Sequence, residues 1–409
     1  MMNIDASYDL VVFGATGFVG KIVCGYLLDH ASAMGDLKWA IAARSQTKLD
    51  SLKQSLGAAA RDLPTLIADA TDESTLIDLC HQTQVVISTV GPYALHGETL
   101  VKVCAETGTD YGDLTGEVQW VQQMIAKYEA IAQQSGARIV HCCGFDSIPS
   151  DLGVYYLQQQ AKIQFGEPCI RVKMRVKAAQ GGVSGGTAAS GINLIQEAIA
   201  NPDTKTALKN PYILCPNKTE TPNHPPALIP VQADETFGEW ITPFVMAGVN
   251  TPIVLRSNAL QNWDYNKDFQ YDEAMLSGEG IGGWFKAQSL QVGLNSLGIA
   301  AAIAPALLEK IIPAPGEGPT LEEQEKGFYD LRFWGKTASG KTIMTKVTGD
   351  RDPGYGSTAK ILSQAGICLA KDLSEFEKQG GFWTPASLFG ATLITRLTQY
   401  SGLTFAVLS

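Results

Sequence analysis

Three glycines spaced three residues apart, directly after an apolar run, constrain this fold more than any other sequence feature. The run Tyr8–Phe13 (YDLVVF) is almost continuously apolar, which is typical of a strand buried on both faces of a parallel sheet. The next stretch, FVGKIVCGYLL, places apolar residues at helical spacing. Strand, tight turn and helix in this order predict a dinucleotide cradle, although the spacing is GxxGxxG and not GxGxxG.

Each glycine of the turn has a separate role in such a cradle. Gly14 permits the tight turn, Gly17 lets backbone N–H groups approach a pyrophosphate, and Gly20 lets the helix pack on the sheet. The helix N-terminus favours the anion. The competing interpretation is an ordinary strand–helix turn. The predicted cradle comprises Gly14, Ala15, Thr16, Gly17, Phe18, Val19 and Gly20.

More strand-like segments follow, separated by helical patterns, and this alternation predicts an α/β fold built on a Rossmann doubly wound parallel sheet. The segments are LKWAIAAR (37–44), PTLIADATD (64–72), QVVISTVGPY (84–93) and GARIVHCC (136–143).

The end of the second strand indicates the cofactor. An NAD site would have an acidic residue there, whereas Arg44 with Ser45 and Lys48 suits the 2′-phosphate of NADP. The alternative is that Arg44 is a solvated loop charge. Asp69 is placed to meet an adenine edge. The end of the fourth strand, Thr89, Val90, Gly91 and Pro92, would lie at the carboxyl edge of the sheet, where such folds bind ligands.

Composition excludes several classes of function. A chain of 409 residues predicts two domains, and a net charge of −10 argues against nucleic acid as a partner. Eight cysteines without a CxxC motif, and five histidines without an HxH or HxxxH pair, argue against a disulfide scaffold and a metal site. The N-terminus lacks a secretory pattern, so we expect reduced thiols in a cytoplasmic protein.

Several longer motifs resemble the saccharopine dehydrogenase-like oxidoreductases, and most of all their trans-acting enoyl reductase branch. They are GATGFVG, STVGPYALHGETLVKVCAETGTDYGDLTGE, GFDSIPSDLG, GGTAAS, DPGYGSTAKIL and GGFWTPASLFGATLITRL. The resemblance extends from about Tyr8 to about Leu397. It implies a Rossmann domain, an α+β second domain, NADP(H) chemistry and reduction of a lipid-linked carbon–carbon double bond.

We predict three regions: an NADP-binding domain over 1–150, an α+β substrate and dimerisation domain with a mixed or antiparallel sheet over 151–350, and C-terminal helices over 351–409 that pack back on the first. In CIRVKMRVKA (169–178) the basic residues share one face, either the wet face of a sheet or a basic wall for an acidic substrate. The glycine-rich stretch 181–201 predicts a mobile turn, or else a loop beside the substrate or the nicotinamide. The stretch 202–230 predicts a long surface loop or lid.

The segment Ala287–Leu308 contains 22 residues without a charge, of which only Leu297–Leu308 is continuously apolar. The continuously apolar part is too short for a membrane span, which needs about 20 residues, and better suits a core helix or a dimer interface. Docking on a lipid surface is the other option, so we expect a homodimer and consider peripheral contact with the plasma membrane.

Reduction of an activated double bond needs an oriented hydride donor, a donor to the carbonyl and an acid for the α-carbon. The candidate catalytic residues are Tyr93, Asp113, Asp146 and Ser147, with Tyr111 and Tyr355 (the latter expected in the second domain) as further tyrosines. Each has a structural alternative: a packed ring for tyrosine, a helix cap for Asp146 and Ser147. We interpret His141 as a core histidine.

The preferred function is therefore an NADP(H)-dependent oxidoreductase that acts on an enoyl group of a lipid or polyketide-type acyl substrate. A cofactor-binding scaffold on membranes, without turnover, is one alternative. A saccharopine-type amino-acid dehydrogenase is another, and it would need an arginine cluster for a carboxylate, for which Arg171, Arg175 and Arg256 are available.

Overall fold

The computed structural model describes residues 6–30, 35–181, 192, 196–197, 199–201, 208–216, 229–303, 318–373 and 379–408. These residues form two compact units. The first contains the chain up to Phe145 together with Gly354–Ser401, and the second contains Asp146–Pro353 together with the residues from Gly402 onward. Most of the predicted glycine-rich turn (181–201) and most of the predicted loop (202–230) lie outside the described residues.

The strands of the described residues are numbered in chain order. They are β1 (Tyr8–Phe13), β2 (Trp39–Ala43), β3 (Thr65–Ile67), β4 (Thr83–Ser88), β5 (Asp110–Asp113), β6 (Arg138–Val140), β7 (Cys169–Gln180), β8 (Gln232–Asp234), β9 (Glu239–Pro243), β10 (Gln270–Gly278), β11 (Phe328–Thr337), β12 (Thr342–Gly349), β13 (Gly381–Trp383) and β14 (Thr404–Leu408).

The α-helices are numbered in the same way. They are α1 (Phe18–His30), α2 (Gln46–Leu56), α3 (Glu73–Cys80), α4 (Tyr93–His96), α5 (Glu98–Thr107), α6 (Val118–Ser135), α7 (Ile148–Phe165), α8 (Ala247–Leu260), α9 (Gly280–Ile303), α10 (Leu321–Lys326), α11 (Thr358–Ile367), α12 (Pro385–Leu388) and α13 (Gly390–Tyr400). A 3₁₀ turn covers Ala58–Ala60, and π-helical turns cover Pro353–Ser357 and Cys368–Asp372.

The first unit is built on a parallel sheet with the strand order β3-β2-β1-β4-β5-β6-β13. Every neighbouring pair in it is parallel. The central strands are buried, as the apolar runs predict. The predicted doubly wound Rossmann sheet is thus confirmed, and its strand order reverses between β1 and β4.

The C-terminal segment of the first unit completes this sheet. Strand β13 pairs with β6 in parallel, and α11 packs against α1 and against β4 and β5. A buried ion pair ties the segment down: the Arg138 guanidinium contacts the Asp110 carboxylate and also donates to the carbonyl oxygens of Leu369 and Leu373.

The second unit is built on a mixed sheet with the order β14-β12-β11-β7-β10-β9-β8. Strands β7 and β10 are parallel, and the other neighbouring strands are antiparallel. Helix α7 packs directly on this sheet, because a side chain at Gly153 would come within 2.3 Å of the Phe333 ring. The prediction of a second α+β domain with a mixed sheet is confirmed.

Helix α9 contains the described part of the uncharged segment. Leu297 and Ile299 are more than half exposed, whereas Ala301 is buried; residues 304–308 lie outside the described part of the chain. Within the described ranges, no helix combines the length and the hydropathy that a membrane crossing requires.

Candidate cofactor and catalytic site

The glycine turn between β1 and α1 has no room for side chains at two positions. Gly14 has a φ of +84°, and a Cβ there would lie 2.6 Å from Val90 Cγ2. At Gly20 a Cβ would lie 2.3 Å from the Gly14 carbonyl oxygen, so the helix can approach the turn only without it. At Gly17 the one close atom is the Gly14 oxygen at 3.3 Å, which leaves space beside the turn for a ligand.

The turn lies at the point where the strand order reverses, which is where ligands bind in open α/β sheets. The Thr89 amide and hydroxyl, just after β4, donate to the Phe13 carbonyl oxygen at 3.0 and 3.2 Å. Residues Val90, Gly91 and Pro92 continue from Thr89 to the start of α4, with a cis peptide bond between Gly91 and Pro92. The structure therefore brings the predicted segments 14–20 and 89–92 together.

Arg44, Ser45 and Lys48 lie at the end of β2 and the start of α2. Arg44 and Lys48 are exposed, and the Ser45 hydroxyl accepts a hydrogen bond from the Lys48 amide, which begins the helix. Hydrogen bonds from Thr71 lower the pKa of Asp69, and the nearby Arg44 charge lowers it further. Arg44 and Asp69 thus lie close enough at neighbouring strand ends to act on each other.

These residues fit NADP. The glycine turn and the first turn of α1 offer backbone N–H groups for the pyrophosphate. Arg44 and Lys48 are two exposed cations of the kind that would pair with a 2′-phosphate. The segment 89–92 borders the same edge of the sheet.

Tyr93 is buried and engaged with the backbone on both sides. Its hydroxyl donates to the Ser88 carbonyl oxygen at 2.9 Å and accepts from the Leu114 amide at 3.2 Å. Burial and the nearby Asp113 charge raise its pKa well above the ordinary value. The Glu117 carboxylate accepts from the amides of Tyr93 and Ala94, both at 2.9 Å, and so caps α4. These contacts favour a positioning role for Tyr93.

Asp113 is the centre of a buried polar cluster at the end of β5. Its carboxylate accepts from the Tyr111 hydroxyl at 3.0 Å and from His141 Nδ1 at 2.7 Å. The amides of Thr115 and Cys142, both at 3.1 Å, complete its partners. Asp113 therefore holds the loop after β6, in which Cys142 has a φ of +61°. His141 is buried, as expected, and pairs with this carboxylate.

Three of the quoted motifs meet within the first unit. The Phe145 amide of GFDSIPSDLG donates to the Thr358 hydroxyl of DPGYGSTAKIL at 2.9 Å. The buried Tyr355 ring packs edge-on against Phe18 of the glycine turn, with centroids 5.2 Å apart. Tyr355 thus lies in the first unit, not in the second domain where the sequence placed it, because the chain returns to the first sheet at Gly354.

Asp146 and Ser147 begin the second unit. Burial raises the pKa of Asp146 to about 6. Ser147 occupies the N-cap position of α7, but its side chain makes no capping bond. Its hydroxyl donates to Asn250 Oδ1 at 3.1 Å instead, so the expectation of a serine cap is wrong here.

Three of the four basic residues of β7 form ion pairs within the second unit, and the fourth, Lys177, is exposed. Arg171 pairs with Asp272, Arg175 with Asp234 and Asp272, and Lys173 with Asp234. Arg175 is also buried, which a wet strand face does not predict. The Arg256 side chain donates to the Leu214 carbonyl oxygen. These contacts do not support the arginine cluster of a saccharopine-type amino-acid site.

Comparison with known proteins places these features in a family. Residues 10–140 match the family described as "Saccharopine dehydrogenase NADP binding domain". A Mycobacterium tuberculosis relative whose name includes the words trans-acting enoyl reductase is 38% identical over 401 residues, covering 95% of both chains. The trans-acting enoyl reductase of Mycobacterium ulcerans is 33% identical over 424 residues, covering 98% of this chain and 97% of that one.

The chain belongs to the trans-acting enoyl reductase family. It is an oxidoreductase of the saccharopine dehydrogenase-like type, and its cofactor is NADP. The structure of apo saccharopine dehydrogenase (L-Glu forming) from Saccharomyces cerevisiae matches it with a TM-score of 0.54 at 13% identity, covering 98% of this chain and 99% of that one. This second likeness concerns the fold alone.

Sequence reasoning missed several buried polar groups of this family member. Glu117 caps α4, and Asn250 and Glu273 form a network with Ser147. No local pattern marks them, since their partners lie far away in the chain. Among the described residues, no group of His, Cys, Asp and Glu side chains is arranged to hold a metal ion.

Proposed function

We propose that this enzyme uses NADPH to reduce the carbon–carbon double bond of an enoyl group, conjugated to a carbonyl, in a lipid or polyketide-type acyl substrate. The observation that carries the proposal is the pairing of a sterically closed glycine cradle with exposed Arg44 and Lys48, in a chain related over nearly its full length to trans-acting enoyl reductases.

The bound cofactor supplies the hydride. The protein has to hold the acyl carbonyl, stabilise the negative charge that develops on its oxygen, and deliver a proton to the α-carbon. Tyr93 and Asp113 support this reaction by fixing the loops after β4 and β6. The Tyr93 hydroxyl donates to the Ser88 carbonyl oxygen and accepts from the Leu114 amide. The Asp113 carboxylate accepts from the amides of Thr115 and Cys142.

Asp146 is the proposed acid. It follows Phe145 directly, in the segment held by Thr358, and its raised pKa of about 6 leaves a protonated fraction near neutral pH. A group that titrates close to the working pH is well suited to proton transfer.

The direct test measures NADPH oxidation with trans-2-enoyl thioesters of increasing chain length. Asp146→Asn is expected to lower kcat about 100-fold or more, which is typical for loss of a general acid, and to remove the step in kcat whose midpoint lies near pH 6. Asp62→Asn, an exposed aspartate of the same unit as the cradle, is the matched control. A step near pH 6 that persists in Asp146→Asn would assign the acid elsewhere.

The partner of the enzyme is then an acyl chain, with no role for nucleic acid. A homodimer, a cytoplasmic location and peripheral contact with the plasma membrane are parts of the same proposal. The exposed apolar residues of α9 support a contact surface there. A scaffold without turnover is the second candidate, and it predicts NADPH binding with no oxidation by any enoyl thioester.

A further inference from the structure

Glu273 of β10 is a fully buried carboxyl that is held only by neutral groups among the described residues. The Tyr271 hydroxyl donates to its Oε1 at 2.5 Å, and Asn250 Nδ2 donates to its Oε2 at 2.9 Å. A buried ionised carboxylate without a cation is costly, so burial favours the protonated form of this group and raises its pKa.

Asn250 connects this carboxyl to Ser147, one of the candidate catalytic residues. Its Oδ1 accepts from the Ser147 hydroxyl at 3.1 Å, and its Nδ2 also donates to Ser150 Oγ at 3.1 Å. An ionised carboxylate can only accept hydrogen bonds, and an amide has one accepting and one donating end. With Glu273 ionised, Asn250 must turn Nδ2 toward it. The Ser147 hydroxyl then donates its one hydrogen bond to Asn250 Oδ1.

We propose that protonation of Glu273 reverses this relay and frees the Ser147 hydroxyl to donate to the substrate carbonyl. The inference rests on the proposed function, since it assigns the donor of that same reaction. Protonated Glu273 donates to Asn250 Oδ1 after the amide turns over, and Nδ2 then donates to Ser147 Oγ. The one proton taken up comes from solvent, and Ser147 donates a hydrogen bond without losing its proton. Glu273 is thus a positioning residue.

The surrounding charges leave Glu273 able to switch. Burial raises its pKa to about 7, the hydrogen bonds with Tyr271, Ser150 and Asn250 lower it, and Asp272 raises it. From α7, Asp151 is engaged with the Ser257 hydroxyl; from α8, Arg256 donates to the Leu214 carbonyl oxygen. From β7, Arg175 pairs with Asp272, whose position in the strand puts it on the opposite face from Glu273.

The first test needs no substrate. The side-chain amide resonances of Asn250, assigned with Asn250→Ser, should shift with a midpoint near pH 7 in the native protein and lose this titration in Glu273→Gln. Tyr271→Phe should move the midpoint to higher pH, because it removes a hydrogen bond that favours the ionised form. The relay would be overturned if the Asn250 amide resonances did not change with pH, or if they changed equally in Glu273→Gln.

The second test uses kcat with an enoyl thioester. Gln at position 273 can donate permanently, so Glu273→Gln should keep activity at low pH and remove the step near pH 7, while the step near pH 6 that Asp146 causes remains. Glu279→Gln, exposed just after the same strand, should leave both steps unchanged. Ser147→Ala should lower kcat about 10- to 100-fold and make it insensitive to Glu273→Gln. If the Asn250 amide titrates but no thioester is reduced, the proposed enoyl reduction is refuted and the relay is not. If thioesters are reduced but Glu273→Gln has the pH profile of the native enzyme, the relay is refuted.

Discussion

The Thr89 hydroxyl donates to the Gly14 carbonyl oxygen at 3.1 Å, and thereby joins the ends of β1 and β4 where the strand order of the first sheet reverses. A side chain at Gly14 would come within 2.8 Å of that hydroxyl. The turn is therefore formed by the protein itself, and its N–H groups need little ordering when an anion binds.

This rigidity makes Gly20 a sharp test of the cradle. Gly20→Ala would place a Cβ 2.3 Å from the Gly14 carbonyl oxygen, displace the start of α1, and weaken NADPH binding at least about tenfold. Gly25→Ala in the same helix is the matched control, because its Cβ would meet Leu56 at 3.8 Å. Calorimetric titration should show normal affinity for Gly25→Ala and, by helix propensity, about 0.5–1 kcal/mol of added stability. Equal affinities in the two variants would contradict the cradle.

Arg44 is expected to decide between the two nicotinamide cofactors. Arg44→Asp should reduce the preference for NADPH over NADH about 10- to 100-fold, since it replaces a cation at the 2′-phosphate with a carboxylate. Arg61→Asp makes the same change of net charge at an exposed position beyond α2, and should leave the preference unchanged. Titration of both variants with both nucleotides distinguishes a direct contact between Arg44 and the 2′-phosphate from an effect of the net charge of the protein. If neither nucleotide bound the native chain, the result would contradict both the NADPH-dependent reductase and the cofactor-binding scaffold.

The buried Asp110–Arg138 pair should be essential for the first unit. Asp110→Asn leaves the Arg138 guanidinium, 1% exposed, without its counter-charge, and is expected to lower the free energy of unfolding by about 3–5 kcal/mol. The exposed pair Lys102–Glu73 is the control, and Lys102→Met should cost less than about 1 kcal/mol. Urea denaturation at pH 7 measures both. Similar losses for the two variants would show that burial of the pair is unimportant.

Local patterns predicted the elements of this fold well. The apolar run of β1, the glycine turn and α1 are adjacent in the chain, so their sequence determines them almost alone. The alternation of β7 likewise predicted its strand.

Long-range partners were beyond such patterns. Strand β13 joins the first sheet beside β6 from more than 240 positions further along the chain. Arg175 was expected on a wet face, yet Asp234 and Asp272 enclose it. Ser147 occupies a cap position, and only the folded chain shows that its hydroxyl donates a hydrogen bond to Asn250 Oδ1. A polar group's partner depends on tertiary packing, which single-sequence periodicity does not encode.

Helix α9 tests the predicted homodimer. Ile281, Phe285, Val292 and Ile299 recur at intervals of four and seven residues, so they share one helical face, and each is more than half exposed. This face has no charge to repel a second copy, and a two-fold dimer would pair it with itself. Val292→Asp is therefore expected to convert a dimer into a monomer in sedimentation velocity while changing the unfolding free energy by less than about 0.5 kcal/mol. Ile163→Asp, at an exposed position of α7, is the control and should remain dimeric. A native chain that is monomeric yet sediments with lipid vesicles, and loses this in Val292→Asp, would assign the face to a membrane surface instead.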